Sequence, residues 1–525
     1  MIKIISVIGS LTFLSRIFGY IRDLLIARFL GAGLISDSFF VAFKLPNLFR
    51  RLFAEGAMNS AFIPVLSGVM VRQGQDKSVK FLSKIISLAF IILLPLLIIF
   101  EIFMPIVINL IAPGFFDEQL KYQLTIELAR LTMPFLLFIS LSSLIGGFLN
   151  TINKFAAMAV TPVILNLTMI SIFLIFANNS EINSLTLSKY LAFSISLAGL
   201  VQLIWLIINL SKNGYFLKIN VFFNKKNFKK DKDTKNFFRL FLPAILGNGV
   251  YQLNLLIDMI LASGLKDGSI SYLYYADRIN QLPLGVLGIS LSTAMLPLLS
   301  KFVKEKKKNK VVETTNECLQ LCFFISIPAS FGIFAISYDL IEFLFVRGEF
   351  FIQDARMTSQ ALGAFCFGLP AFILVKILAV ICFSREDTKT PVYIAFFAML
   401  VNLVLNLILI DILFHVGLAV ATTISSWFNA IMLYLYLKKR NFISLSNETK
   451  NLFFKSFVSS FAMFVAIKLL GQNLNIGIFF ENIFINQLLN LICLILTSII
   501  IYILSMYFLK SSYLKQLRGK YSREK

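Results

Sequence analysis

The stretch DSFFVAFKLPNLFRRLFAE, residues 37–55, combines a membrane-type apolar sequence with five charged side chains. A charge that faces lipid at the centre of a spanning helix costs roughly 2.5 to 3.5 kcal/mol. We therefore expect these side chains to face water, one another or a charged ligand, in a cavity between membrane helices. The charged residues are Asp37, Lys44, Arg50, Arg51 and Glu55.

The rest of the chain has the composition of a polytopic membrane protein. Its 525 residues are 58% hydrophobic and only 14% charged, and a membrane span needs about 20 apolar residues. On this criterion the sequence predicts an all-α fold with 14 transmembrane helices, the second of them bent or broken at Pro46. The predicted spans are residues 4–30, 36–69, 82–112, 122–150, 157–177, 186–210, 237–263, 270–300, 315–345, 357–383, 391–412, 416–437, 452–471 and 484–509.

Lysine and arginine are concentrated in every second predicted loop and in the C-terminal tail. This distribution follows the positive-inside rule and predicts that both termini are cytoplasmic. It also accounts for the net charge of +22, because cations at the membrane edge attract anionic headgroups, so nucleic-acid binding is not indicated. The predicted outer loops retain few cations, namely Arg28, Lys121, Lys189, Lys266, Arg347 and Arg356.

An internal repeat relates the two halves of the chain at an offset of 233 residues. Residues 39–67, FFVAFKLPNLFRRLFAEGAMNSAFIPVLS, align without a gap with residues 272–300, YLYYADRINQLPLGVLGISLSTAMLPLLS. Such parallel repeats predict two pseudo-symmetric six-helix lobes around a central cavity. The predicted divisions are an N-terminal lobe (1–211), a basic cytoplasmic linker (212–236), a C-terminal lobe (237–440), and two extra helices with a basic tail (441–525).

Intramembrane cations cluster in the first two predicted spans. Arg16 and Asp23 are seven residues apart, as are Asp37, Lys44 and Arg51, so each set shares a face if its helix is regular. The planar fork of arginine suits bidentate binding of phosphate. We predict a net positive cavity in which the acids partly neutralise and orient the arginines, although any single arginine has the alternative of reaching the membrane surface or joining one helix pair. The predicted anion-binding set is Arg16, Arg22, Arg50 and Arg278, accompanied by Lys44, Arg51, Asp23, Asp37 and Glu55.

Catalytic chemistry is not indicated by the sequence. It has no phosphate-binding glycine loop and no Cys/His metal cluster, and we predict no catalytic residue, metal or cofactor. The single histidine, His415, is expected at a membrane boundary. The five cysteines lack a pairing pattern and are expected to be reduced packing residues.

Four motifs resemble the signatures of the MurJ/MviN lipid II flippase family, within the multidrug/oligosaccharidyl-lipid/polysaccharide exporter superfamily. They are SRIFGYIRDLLIARFLGAG (15–33), DSFFVAFKLPNLFRRLFAEGA (37–57), YYADRINQLPLGVLG (274–288) and SREDTKTPV (384–392). The resemblance implies a transporter of the bacterial inner membrane that moves undecaprenyl-pyrophosphate-linked peptidoglycan precursor from the cytoplasmic to the periplasmic leaflet by alternating access. The functionally important charges of the family match Arg16, Arg22, Asp23, Asp37, Arg50, Glu55 and Arg278.

Other consequences of the resemblance stay open at this point. Lipid II is the implied partner together with membrane lipids, cell-wall synthesis enzymes are candidate partners, and a monomer is the expected functional form. Transport is expected to be coupled either to membrane potential or to a monovalent cation. An exporter of another lipid-linked oligosaccharide or of a small molecule is one alternative, and a polyprenyl-phosphate-dependent glycosyltransferase is another. A drug-cation exporter favours an acidic cavity, and a glycosyltransferase needs carboxylates in an aqueous loop, of which this chain has few.

Overall fold

The computed structural model describes residues 2–51, 58–176, 182–218, 232–471 and 483–514, which form helices and connecting turns without a strand. Glu55 and most of the predicted basic linker lie outside the described residues. The chain divides into two compact units. Unit 1 contains Met1–Ser271 and Arg347–Phe350, and unit 2 contains Tyr272–Val346 and Phe351–Lys525. The division of the sequence into pseudo-symmetric lobes at residue 237 stays a prediction.

The helices of unit 1 are joined mostly by short turns. They are α1 (Ile2–Leu30), α2 (Leu34–Phe49), α3 (Asn59–Gln73), α4 (Gln75–Ile102), α5 (Met104–Ile111), α6 (Gln119–Thr132), α7 (Pro134–Thr151), α8 (Phe155–Ala159), α9 (Thr161–Phe176), α10 (Ser184–Lys212) and α11 (Lys232–Ser263).

Helix α12 (Ser269–Pro283) begins in unit 1 and continues into unit 2. The remaining helices are α13 (Ser290–Lys304), α14 (Lys308–Ala335), α15 (Ser337–Phe345), α16 (Ile352–Cys366), α17 (Leu369–Phe383), α18 (Lys389–Lys439), α19 (Asn447–Gly471) and α20 (Ile483–Phe508).

Proline explains several of the helix breaks. The break at Phe103, between α4 and α5, precedes Pro105, and the break at Met133, between α6 and α7, precedes Pro134. A proline in the first turn of a helix removes an N–H that would have no partner there and preorganises the backbone. These breaks therefore divide long apolar segments without leaving a buried amide unpaired.

The described part of the second predicted span has no break at Pro46. Helix α2 continues through Pro46 to Phe49, and a π-type turn follows at Arg50 and Arg51. The expected break position was wrong because the backbone accommodates this proline within the last turn of the helix. The repeat has the same feature, since Arg51 corresponds to Leu284, the first residue of a π-helix over Leu284–Ile289.

Helix α18 is a helical hairpin. Its 51 residues would extend about 77 Å at 1.5 Å per residue, far more than the hydrocarbon thickness of about 30 Å. Phe414 has a left-handed φ of 51°, and beyond it Gly417 approaches the carbonyl of Leu409. Asn402 Nδ2 donates to Thr422 Oγ1 at 3.3 Å. The chain therefore reverses at Phe414, between the spans predicted at 391–412 and 416–437.

Among the described residues, nine helices are long and apolar enough to cross a membrane, or up to ten if the bent pair α16 and α17 is one span. The hairpin α18 enters this count as one helix. The fold is thus an all-α polytopic membrane fold, and the number of 14 spans stays a prediction.

Each unit has its own apolar core. In unit 1, Phe62 of α3, Leu82 of α4 and Phe148 of α7 are fully buried in one cluster. In unit 2, Leu299 of α13 and Ile377 of α17 are fully buried in another. Each cluster holds several helices of its unit together.

The last two helices are attached to α14 by polar contacts. Asn316 Oδ1 accepts hydrogen bonds from Ser446 N at 2.9 Å and from Thr449 Oγ1 at 2.7 Å. Tyr502 of α20 donates to the carbonyl oxygen of Phe324 at 2.9 Å. The predicted C-terminal pair therefore packs as an integral part of unit 2.

Candidate functional site

Arg22 lies at the centre of a buried polar cluster in unit 1. Its Nε and Nη2 atoms donate to Asp23 Oδ1 at 3.0 and 2.7 Å, and Nη1 donates to Asn166 Oδ1 at 2.9 Å. The guanidinium also lies 5.3 Å from the ring centre of Phe43. Arg22 and Asp23 are 3% and 1% exposed. Because burial of an unpaired charge is costly, these contacts are what allow an arginine at this depth.

The packing of α9 against α1 builds this cluster. Asn166 of α9 accepts from Arg22 and donates through Nδ2 to the carbonyl oxygen of Ser15 at 2.9 Å. Gly19 faces the same amide, and a Cβ there would lie only 3.3 Å from Asn166 Nδ2. A small residue at position 19 therefore lets the asparagine reach both Arg22 and the α1 backbone.

Asp37 occupies a second buried cluster near the start of α2. Its Oδ1 accepts from Ser271 N at 2.9 Å and Ser271 Oγ at 2.6 Å, and its Oδ2 accepts from Gly268 N at 2.8 Å. Lys121 Nζ lies 3.4 Å from Oδ2 and also contacts Asp267. Asp37 therefore binds the first turn of α12 and the lysine of α6.

Lys121 was expected in an outer loop, and the structure corrects this expectation. The residue belongs to the first turn of α6, is 1% exposed, and its ammonium lies 4.3 Å from the ring centre of Phe115. Its carboxylate partners are 84 and 146 residues away in sequence. Residues so far apart in sequence have no spacing that would predict their pairing. Lys121 and Asp267 could therefore not be recognised from the sequence as partners in this buried cluster.

The other predicted cations of unit 1 are more accessible. Arg16 and Arg51 are exposed, and Lys44 and Arg50 are half-buried. Arg50 Nε donates to Asn47 Oδ1 at 3.1 Å, one turn earlier in the chain. The segment after α2 therefore presents guanidinium groups where a solvated anion can approach, whereas Arg22 is held inside the helix packing.

Arg278 belongs to unit 2, on α12. Its Nη2 atom donates to Tyr274 Oη at 3.1 Å, and the guanidinium lies 5.2 Å from the ring centre of the same tyrosine. Tyr275 is fully buried, 5.0 Å from the ring of Phe345. These contacts fix the helical turn that carries Arg278.

The residues considered for other chemistry have structural roles. His415 is buried beside the reversal of α18 at Phe414, with Nε2 3.0 Å from the carbonyl oxygen of Met357. All five cysteines are unpaired thiols. In the part of the chain that the structure describes, no cluster of His, Cys, Asp and Glu is arranged to hold a metal ion.

A protein-family model described as "Lipid II flippase MurJ" matches residues 26–489. The chain belongs to the MurJ family. A relative described as "Probable lipid II flippase MurJ" from Rickettsia prowazekii (strain Madrid E) is 40% identical over 435 residues, which cover 83% of each chain. One of the same description from Buchnera aphidicola subsp. Schizaphis graminum is 33% identical over 511 residues, 97% of this chain and 96% of its own.

Solved structures place the fold in the same family. The structure titled "Lipid II flippase MurJ, inward closed conformation" matches with a TM-score of 0.78 and 29% identity, covering 96% of this chain and 98% of its own. An inward-facing multidrug transporter of the MATE family and MOP superfamily has a TM-score of 0.66 at 13% identity, over 83% of this chain and 97% of its own. The second likeness concerns the fold alone. MurJ proteins are transporters, so the prediction that the chain is not an enzyme is confirmed at the level of the family.

Proposed function

We propose that this protein is a lipid II flippase of the bacterial inner membrane, with both termini in the cytoplasm. It moves the undecaprenyl-pyrophosphate-linked peptidoglycan precursor from the cytoplasmic to the periplasmic leaflet. The observation that carries the proposal is the match to the MurJ family model over residues 26–489. We propose a monomer as the functional unit, with cell-wall synthesis enzymes as partners that act before and after translocation.

The pyrophosphate of the substrate is assigned to the arginines. Phosphate oxygens and carboxylate oxygens compete for the same N–H groups at the edge of a guanidinium. A pyrophosphate that reaches Arg22 would therefore replace Asp23 Oδ1 at Nε and Nη2, where the carboxylate now accepts both hydrogen bonds. Arg16 and Arg50 supply accessible positive charge in unit 1, and Arg278 supplies it in unit 2. The proposed site also includes Lys44, Arg51, Asp23, Asp37 and Glu55.

Alternating access would carry the head group across while the polyprenyl tail stays in lipid. The energy source in this proposal is membrane potential or a monovalent cation. Moving one elementary charge through 100 mV is worth about 2.3 kcal/mol, enough to bias a transport step by more than tenfold. Measuring translocation with an imposed potential, and separately with a sodium gradient, distinguishes the two sources.

The direct test is translocation of labelled lipid II in proteoliposomes, followed by the accessibility of the label to a membrane-impermeant reagent. We expect Arg22→Ala, Arg50→Ala and Arg278→Ala each to lower the rate at least about tenfold, as loss of a charge-assisted contact of ~1.4 kcal/mol or more requires. The matched control is Arg72→Ala, because Arg72 is an exposed arginine whose partner is Asp233.

The outcomes separate function from site. Inactive wild-type protein with correct insertion would exclude the flippase function. Active wild-type protein with three fully active arginine variants would exclude the site assignment alone. Faster translocation of a different lipid-linked oligosaccharide under the same conditions would favour the alternative exporter.

A further inference from the structure

Unit 1 contains a cavity of about 500 Å³ at the end of α1 that is not part of the proposed substrate site. The cavity is lined by residues from the end of α1, the start of α10 and the turn before α16. They are Arg28, Phe29, Ile182, Asn183, Ser184, Leu187, Gly348 and Glu349. With the proposed orientation, α1 starts in the cytoplasm, so the cavity lies at the periplasmic face.

A backbone hydrogen bond joins two of the segments that line the cavity. The N–H of Glu349 donates to the carbonyl oxygen of Arg28 at 2.9 Å. Gly31 and Gly348 have φ values of +65° and +61°, and a Cβ on either would collide with the carbonyl oxygen of Glu349 or Arg28, respectively. Two glycines in left-handed conformations thus allow the turn to lie directly on the end of α1.

The two charges of the cavity are close in backbone position but are not paired with each other. Arg28 and Glu349 are both exposed. Among the described residues, Arg28 has no carboxylate and Glu349 has no cation within ion-pair distance, and the Arg28 guanidinium packs only on the ring of Phe29, at 5.3 Å. A ligand with one negative and one positive group would satisfy both residues at once.

Two aromatic pairs border the cavity. Phe29 stacks on Phe173 at 5.4 Å, and Phe176 stacks on Tyr190 at 4.7 Å, one turn beyond the cavity residue Leu187. Tyr190 is 38% exposed and lies on the same face of α10 as Leu187. Partly exposed aromatic rings are typical of the membrane interface, where a headgroup and the start of the acyl chains meet.

We propose that this cavity binds the headgroup of an amino-phospholipid, with the lipid phosphate on Arg28 and the lipid ammonium on Glu349. The acyl chains lie beside Tyr190. The periplasmic end of α1 is thereby held to the turn Arg347–Phe350 by a lipid of the outer leaflet. This site is separate from the arginines assigned to the pyrophosphate.

Native mass spectrometry of the full-length protein tests the site. The purified protein in detergent is titrated with dioleoyl phosphatidylethanolamine, dioleoyl phosphatidylglycerol or soluble phosphoethanolamine, and retained adducts are counted. We expect wild type to retain phosphatidylethanolamine about tenfold more strongly than Arg28→Ala does, as for loss of one charge-assisted contact. Glu349→Gln removes only the partner of the ammonium and should reverse the preference toward phosphatidylglycerol. Arg356→Ala, at another exposed arginine predicted on the same face, is the matched control.

Three results would overturn the proposal: equal retention of the two lipids by wild type, equal retention by wild type and Arg28→Ala, or displacement of the lipid by an equimolar amount of soluble phosphoethanolamine. The last result would assign the cavity to a soluble zwitterion. Lipid retention is measured without transport, so its failure leaves the proposed flippase function untouched.

Discussion

The ammonium group of Lys121 lies 3.4 Å from Asp37 Oδ2 inside unit 1, and each residue is only 1% exposed. This ion pair connects α6 to α2, and the hydrogen bonds from Gly268 and Ser271 extend it to the start of α12. A buried charge that loses its partner retains its desolvation cost. The Asp37 carboxylate therefore joins three elements of the fold, and Lys121 supplies its positive partner.

Replacing Lys121 should destabilise the protein strongly. Lys121→Met keeps most of the apolar stem but leaves the Asp37 carboxylate without a cation, and we expect a loss of about 3 to 5 kcal/mol in the free energy of unfolding. Reversible unfolding in detergent, monitored by a thiol-reactive dye on the buried cysteines, measures it. The control is Lys189→Met, since the half-exposed pair of Lys189 with Glu127 contributes about 0 to 1 kcal/mol. Equal losses in the two variants would show that the buried pair is dispensable.

Asn166 should matter because it positions Arg22. Asn166→Ala removes the acceptor of Arg22 Nη1 and the donor to Ser15, so we expect a loss of about 1 to 3 kcal/mol in stability and slower lipid II translocation. Translocation at matched protein levels is the readout. Thr168→Val, on the same helix, removes only a hydrogen bond to the carbonyl of Ile164 and should leave translocation unchanged. An Asn166→Ala variant as active as Thr168→Val would exclude the positioning role.

Features governed by local sequence were predictable. The apolar runs follow from composition, and the repeat alignment related Arg51 to Leu284, where both halves form π-type turns. The intramembrane charges were also recognisable as exceptional. Asp23 was expected beside the arginines, and it does bind Arg22.

Partners across long stretches of sequence were not predictable. The seven-residue spacing predicted that Asp37 shares a helix face with Lys44 and Arg51 and neutralises cations there. In the structure, Asp37 binds Lys121 and the backbone amides of Gly268 and Ser271. Helical periodicity specifies which side chains share a face of one helix, whereas the opposing helix decides which of them are paired. Pro46 shows a related limit, because a proline near the end of a helix leaves the exact break to the residues that follow.

Replacing Gly31 by alanine should destabilise the protein more than the same replacement at a glycine with open space around it. Gly31→Ala combines a left-handed backbone, which costs an L-residue about 1 to 2 kcal/mol, with a collision against the carbonyl of Glu349. Gly214→Ala is the control, because Gly214 follows the C-cap of α10 with a φ of +82° and has no atom within 4 Å of the added Cβ. We expect both variants to lower the thermal midpoint and Gly31→Ala to lower it more. Equal shifts would mean that the turn moves away from α1 at little cost.

Asp387 should make stability depend on pH in the acidic range. The residue lies in the turn between α17 and α18, where Thr390 N and Tyr436 Oη donate to its two oxygens at 3.1 and 2.9 Å. Partial burial raises the pKa of this carboxyl. The two hydrogen bonds, together with one from the backbone of Lys389, lower the pKa by more than burial raises it, so the net pKa lies below the ordinary 3.8. The folded state therefore prefers the charged form, and the resulting stability is complete above the unfolded pKa.

This stability must be lost as the pH falls through the folded pKa. We expect Asp387→Asn to be less stable than wild type at pH 7, and the difference in unfolding free energy to shrink as the pH falls below 3.8. Unfolding of both proteins between pH 7 and pH 3 measures the difference. Tyr436→Phe removes one donor and should shift the loss toward higher pH, because the folded pKa moves back toward its ordinary value. A difference that is constant with pH would assign the effect of Asp387 to packing, since only the charged carboxylate couples folding to protons in this range.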